Sequence, residues 1–349
     1  MGPIARGMLV LLLSGLGAAV TSAAPVPGAA AACRPPDSPI AESQRKFHPG
    51  HYVALGRSED KSDLARVLGK GVIGVQRRYR WAELEPAEDQ YQFSAIARDL
   101  ETAQSSGTQL VVMIVDKSFK DDFPTPDYLK SKYTMQSRHG GYTAARWDPY
   151  VNDRFKKLVD KLGAQFDCDP HFEGVAFQES SPSLDEAELN ASGYTPEKYR
   201  DALIGLLRSA AASLPRSRVF WYMNFLPGNQ KYIGDIASAV VGTGVVMGGP
   251  DILPDNRALA RRVYPFYDQF QGRLKLFNSM QHNSYRHRHG GDAQSNSAYW
   301  SMEDLFMFAR DKLHVDYIFW DYQRAAQPPG SHDWSDALDV IARHPVFGR

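Results

Sequence analysis

From His51 onward, short runs of β-branched and aromatic residues alternate with longer stretches whose apolar positions recur three and four residues apart. The first pattern is that of strands buried on both faces, and the second that of amphipathic helices. The strand runs are "HYVALG" (51–56), "GVIGVQRRY" (71–79), "QLVVMIVD" (109–116) and "FEGVAFQE" (172–179), followed by "RVFWYMNF" (218–225), "GVVMGGP" (244–250), "LKLFNSM" (274–280) and "VDYIFWDY" (315–322). Helical periodicity covers 61–70, 93–107, 150–166, 195–215 and 301–314. Thr195, Pro196 and Glu197 open one of these helices, and Gly107 and Pro215 close others.

Eight strands, each followed by a helix, predict an α/β protein: a single (β/α)8 TIM barrel over residues 49–349. In that architecture the chemistry sits at the C-terminal strand ends. Those ends carry Arg78 and Trp81 after strand two, Asp116 and Lys117 after three, Gln178 and Glu179 after four, and Tyr222 and Asn224 at five. Asp251 follows six, Gln281, His282 and Asn283 follow seven, and Trp320 and Asp321 end eight. "GVAFQESS" is the sharpest case, an apolar run that stops at the carboxylate of Glu179. An acid there is costly to bury unless it is paired or lines a site. Carboxylates, amides and rings together suit a poly- or oligosaccharide, whose hydroxyls take paired hydrogen bonds and whose apolar face stacks on rings. The long segments 117–149 and 284–300 are expected to wall the cleft.

Composition narrows the field further. Of 349 residues, 43% are hydrophobic, enough for a large core, and forty basic residues balance forty acidic ones, so the chain lacks the charge footprint of a nucleic-acid binder. Arg6, the apolar core from Met8 to Val20 and the small residues after it predict a secretory signal peptide over about 1–24. An N-terminal extension follows over 25–48. The apolar core is shorter than the roughly 20 residues that span a bilayer, so a secreted or periplasmic protein without a transmembrane segment is expected. Cys33 and Cys168 are the only cysteines and are expected to form a disulfide. The other reading is that Cys33, which closes "AAAC", leaves with the signal or carries lipid. No phosphate-binding loop is present, and His282, His287 and His289 near Asp292 lack the i, i+4 spacing of a helical zinc site. No metal or other cofactor is expected.

The segment Arg77–Ile114, with Trp81, Glu85-Pro86, Tyr91 and Phe93, resembles the second strand, helix and third strand of clan A glycoside hydrolases. The resemblance implies an acid/base glutamate at the end of strand four, which Glu179 matches with Gln178 in place of the usual Asn. It also implies a nucleophilic glutamate at the end of strand seven. There the chain departs from the pattern, since "LKLFNSMQHNSYRHRHGG" contains no carboxylate. A second acid must come from elsewhere. Asp321 is the first choice and Asp251 the second, and a strand-four with strand-six pairing resembles another barrel clan that contains α-galactosidases.

The expectation is therefore a glycoside hydrolase in which Glu179 donates a proton and Asp321 or Asp251 acts as base or nucleophile. Arg78, Trp81, Asp116, Lys117, Gln178, Tyr222, Asn224, Gln281, His282 and Trp320 are expected around the substrate. Glu85 is expected to be structural. The rival is a catalytically silent barrel that binds a glycan.

Overall fold

The computed structural model describes residues 40–56, 66–68, 71–120, 122–291 and 297–347, with Gly2, Cys33, Pro36 and Leu64. The expected signal peptide, most of the helix expected at 61–70, and Asp292 lie outside the described residues. Eight parallel strands close into one barrel, each paired with its neighbours in chain order. They are β1 Gly50–Leu55, β2 Gly74–Arg80, β3 Gln109–Val115, β4 Phe172–Phe177, β5 Arg218–Tyr222, β6 Val245–Gly249, β7 Lys275–Met280 and β8 Tyr317–Asp321. Around them run helices α1 Ser94–Ser105, α2 Pro149–Phe166, α3 Pro196–Ser213, α4 Tyr232–Ala239, α5 Arg257–Arg262, α6 Pro265–Phe270, α7 Met302–Asp311 and α8 Trp334–Arg343. The eight expected strands and the (β/α)8 class are all present.

Side chains alternate across the barrel wall. Tyr52, Val111, Met113, Ala176, Phe220, Tyr222, Phe277, Tyr317 and Phe319 fill the interior, and the intervening residues pack against the helices. This two-residue period decides which strand-end groups reach the mouth. On β8 the inward file runs Tyr317, Phe319, Asp321, which leaves Trp320 on the outer face. Gly174 is required where β4 meets β5, because a Cβ there would stand 1.9 Å from the Arg218 carbonyl oxygen.

The segment that carries the family resemblance is a buttress. Glu85 is fully buried, accepts from Trp81 Nε1 at 2.8 Å and pairs with Arg154 of α2, while Arg154 also reaches Asp89 at 2.8 Å. These bonds tie the β2 loop to α2, so the structural role expected of Glu85 is its observed one. At the opposite end of the barrel, buried Glu173 accepts from Tyr317 Oη at 2.7 Å and contacts His48 Nδ1 at 2.6 Å. Cys33 and Cys168 form the expected disulfide, a bond that persists in oxidising compartments. Among the described residues no helix is long and apolar enough to cross a membrane.

Candidate active site

The strand ends of β3, β4 and β5 form one shoulder of the mouth, and its polar groups answer one another. Lys117 continues the inward file of β3 and is buried, with its Nζ 2.5 Å from Glu179 Oε1 and 2.8 Å from the Ser181 carbonyl oxygen. Asn224 Nδ2 donates to the other Glu179 oxygen. Burial pushes the Lys117 ammonium below the usual lysine range, and the Glu179 charge pulls it back up. Asp116, on the other face of the chain, takes both oxygens to Arg146, at 2.5 Å each. Gln178 Oε1 accepts from the amides of Asp116 and Lys117 at 2.9 and 2.7 Å, which locks the ends of β3 and β4 together. A hairpin, Thr134–Gln136 against Tyr142–Ala144, bonds to the end of β3 through Ser118 and Asp116 and orders the loop above it.

The ends of β6, β7 and β8 form the other shoulder. Asp251 is partly exposed as a residue, but its Oδ1 is sealed from solvent with no hydrogen-bond partner among the described residues. Burial pushes its carboxyl from 3.8 to about 7, with the Glu179 charge and then that of Asp321 adding to the rise. Three strands thus bring acids close enough to act on one another. Asp321 lies 3.5 Å from Arg78 Nη2 and accepts from the His282 amide at 3.2 Å. His282 Nδ1 is 3.3 Å from Gln323 Oε1. Gln281 caps the short helix His282–Tyr285 and is partly exposed at the rim.

Several expected roles change with this geometry. Trp81, expected at the substrate, is fully buried, stacks on Phe155 at 4.6 Å and spends its N–H on Glu85. Trp320 is fully buried on the outer wall, bonded to His51 at 3.1 Å, because strand alternation cannot turn both it and Asp321 to the mouth. Tyr222 is buried inside the barrel, where Gln76 Nε2 donates to its hydroxyl at 2.9 Å. Asp116 is fully buried in its pair with Arg146, away from the position expected of a substrate ligand, and partly exposed Gln178 gives its Oε1 to the wall. Arg78 pairs with Asp321, and Lys117 pairs with Glu179.

Two residues escaped the strand-end reasoning. Arg146 lies in a loop, where no periodicity announces a partner for Asp116. Phe119, 52% exposed with Lys117 Nζ 5.0 Å from its ring centre, is the exposed aromatic face beside Glu179. Next to Asp251 opens a cleft of about 540 Å³ lined by residues that include Asn224, Phe225, Asn283, Arg286 and Arg288. Among the described residues no group of three or more His, Cys, Asp or Glu could hold a metal ion. His287 and His289 pack against Trp300 at 6.5 and 4.4 Å.

No protein-family model and no curated protein sequence matches the chain. Solved structures do. A point variant of GH5_18 from Streptomyces cattleya, in complex with Manb1-4GlcNAc, superposes with a TM-score of 0.57 at 14% identity, over 85% of this chain and 80% of that one. A beta-galactosidase from Rahnella sp. R3 gives 0.56 at 11% identity over 88% of this chain, and an exo-beta-1,4-mannosidase from Opitutaceae bacterium strain TAV5 gives 0.50 at 11% over 84%. The chain spans 56% and 55% of the length of these last two. At such identities the likeness is one of architecture, and it places the chain among (β/α)8 barrels.

Proposed function

We propose that the protein is an exported glycoside hydrolase in which Asp251 donates the proton to the leaving oxygen and Glu179 is the opposing carboxylate. The observation that carries this reading is Asp251, whose carboxyl is pushed to about 7 in a site with a sealed, unbonded oxygen. A group of that acidity is protonated below neutrality and can surrender its proton in the transition state. Glu179 is ill suited to the same task, since Lys117 and Asn224 already donate to both its oxygens. Partly exposed at the mouth and held by a lysine and an amide, it takes the part of the carboxylate that attacks an anomeric carbon or activates a water. The roles are thus exchanged relative to the sequence expectation, with the strand-six acid as proton donor. Asp321, held by Arg78 and the His282 amide, orients a sugar hydroxyl or the donor. Phe119 offers a stacking face and Asn224 an amide. Solved barrels of similar architecture that carry glycosidase names are consistent with this chemistry.

The test is to incubate the mature protein with a panel of glycans, following reducing ends together with the anomer of the product. Release of sugar lost in both Glu179→Gln and Asp251→Asn supports the pairing. A wild-type protein that binds glycan and releases nothing favours the silent barrel, to which the absence of a carboxylate at the end of β7 lends its one specific support.

A further inference from the structure

We propose that the cleft beside Asp251 receives an anionic sugar residue, a uronate or a sulfated unit, held by Arg286 and Arg288. The proposal rests on the reading of the mouth as a glycosidase site and adds the class of its substrate. Asp251 apart, the charged side chains lining the 540 Å³ cleft are these two arginines, set among the amides of Asn224, Asn256 and Asn283. Neither forms an ion pair with a carboxylate among the described residues; Arg288 is held by the Ser297 carbonyl oxygen and the Tyr299 ring and hydroxyl, and Arg286 is the less engaged of the two.

Their placement is built in. Between them His287 is buried, with its ring near-parallel to Trp300, whereas Arg286 and Arg288 line the cleft. Arg288 forms a β-bridge with Tyr299, lies 3.8 Å from its ring centre and donates from Nη2 to its hydroxyl at 2.6 Å. Asp255 clamps the same loop, accepting from Gly290 N and Trp300 Nε1 at 2.8 Å each. Arg286 makes one hydrogen bond among the described residues, from Nη2 to Asn283 Oδ1 at 2.8 Å. A guanidinium carries five N–H donors in a planar fork, so most of those on Arg286 remain for a ligand, and the fork matches a carboxylate or sulfate. A Asp251 carboxyl that keeps its proton to near neutrality leaves the two positive charges uncompensated.

The experiment compares oligogalacturonate and oligomannuronate with their carboxyl-reduced, neutral counterparts, and includes dextran sulfate beside dextran. Binding is measured on the Glu179→Gln protein and product release on the otherwise unchanged chain, each with and without Arg286→Gln. Arg286 is exposed and bonded only to Asn283 among the described residues, so this variant folds; Arg288→Lys serves as a second, charge-retaining control. The expected result is binding of an acidic glycan about tenfold or more tighter than its neutral counterpart, with that preference lost in Arg286→Gln. Preference for dextran sulfate over the uronates identifies the anion as sulfate. Equal binding of acidic and neutral forms, or an acidic preference untouched by Arg286→Gln, overturns the proposal. An arginine-dependent preference without product release sustains the anionic ligand and overturns the hydrolase reading, so the two failures are separable.

Discussion

Between β3 and β5 the barrel mouth is a closed set of pairs: Glu179 with Lys117 and Asn224, Asp116 with Arg146, and Gln178 with two backbone amides. Between β6 and β8 the same kind of acid stands apart, with Asp251 Oδ1 buried and unbonded among the described residues. Both shoulders carry carboxyls at strand ends, yet one environment suits a lasting negative charge and the other a retained proton. The contrast teaches that position on the barrel nominates a catalytic acid, whereas its neighbours decide the role.

The comparison can be broken from either side. The largest effect is expected from Glu179→Gln, which removes the carboxylate held by Lys117 and Asn224 at the paired shoulder. Product release should fall by about 10⁴-fold, with glycan affinity kept within a few-fold of wild type. Activity within tenfold of wild type would take Glu179 out of the chemistry. Asp251→Asn is expected to cost about 10²- to 10⁴-fold on natural substrates and far less on a dinitrophenyl glycoside, whose leaving group needs little proton assistance. Because the Asp251 carboxyl titrates at about 7, wild-type turnover should decline as pH rises through neutrality, and the Asn variant should lack that limb. A limb that survives the substitution assigns the proton to another group.

The strands and the positions of the acids were legible in the sequence, the contrast between the shoulders was not, and the illegible part has definite causes. Short continuous apolar runs announce the eight strands, and strand-end counting finds Glu179, Asp251 and Asp321 without a structure. The same counting cannot rank them, since Lys117 is 62 residues from Glu179 and only closure of β3 against β4 joins the two. Parity was also readable in principle: Asp321 and Trp320 are adjacent, so one of them had to face the helices, and the ring went outward. Trp81 shows the limit of motif likeness, because Trp81 and Glu85 of the resembling segment are buried and hold a loop to α2. Arg146 and Phe119 sit in a loop whose form depends on a hairpin docked on the end of β3, which no local pattern encodes.

Smaller changes sharpen the contrast. Lys117→Met should lower turnover about 10- to 100-fold, the weight of one charge-assisted hydrogen bond, by leaving Glu179 to Asn224 alone. The loss should fall on kcat more than on KM, and unchanged turnover would mean that the ion pair serves only the wall. Phe119→Ala should raise KM about three- to tenfold with kcat preserved, as expected for a lost stacking face. Intact KM would place the sugar away from that ring.

The smallest effect is on stability, and it isolates the environment of Asp251 from any reaction. Its carboxyl titrates at about 7 in the folded chain against 3.8 for an ordinary aspartate, so between those values the folded state binds more protons than the unfolded one. Stability associated with this group is therefore complete below about pH 4 and is lost as pH rises through 7, where the charge is carried by a carboxyl with one oxygen sealed from solvent. Asp251→Asn abolishes the titration and keeps a neutral side chain of the same shape. The variant should melt several degrees above wild type at pH 8, and the two should converge as pH falls towards 4, a difference that thermal scans across pH read directly. Glu179→Gln provides the counterpart from the paired shoulder. It puts an amide N–H against the Lys117 ammonium or the Asn224 amide, and it should melt lower than wild type at pH 8. Opposite signs at the two sites would confirm that one shoulder holds its charge at equilibrium and the other resists it, and equal signs would erase the distinction.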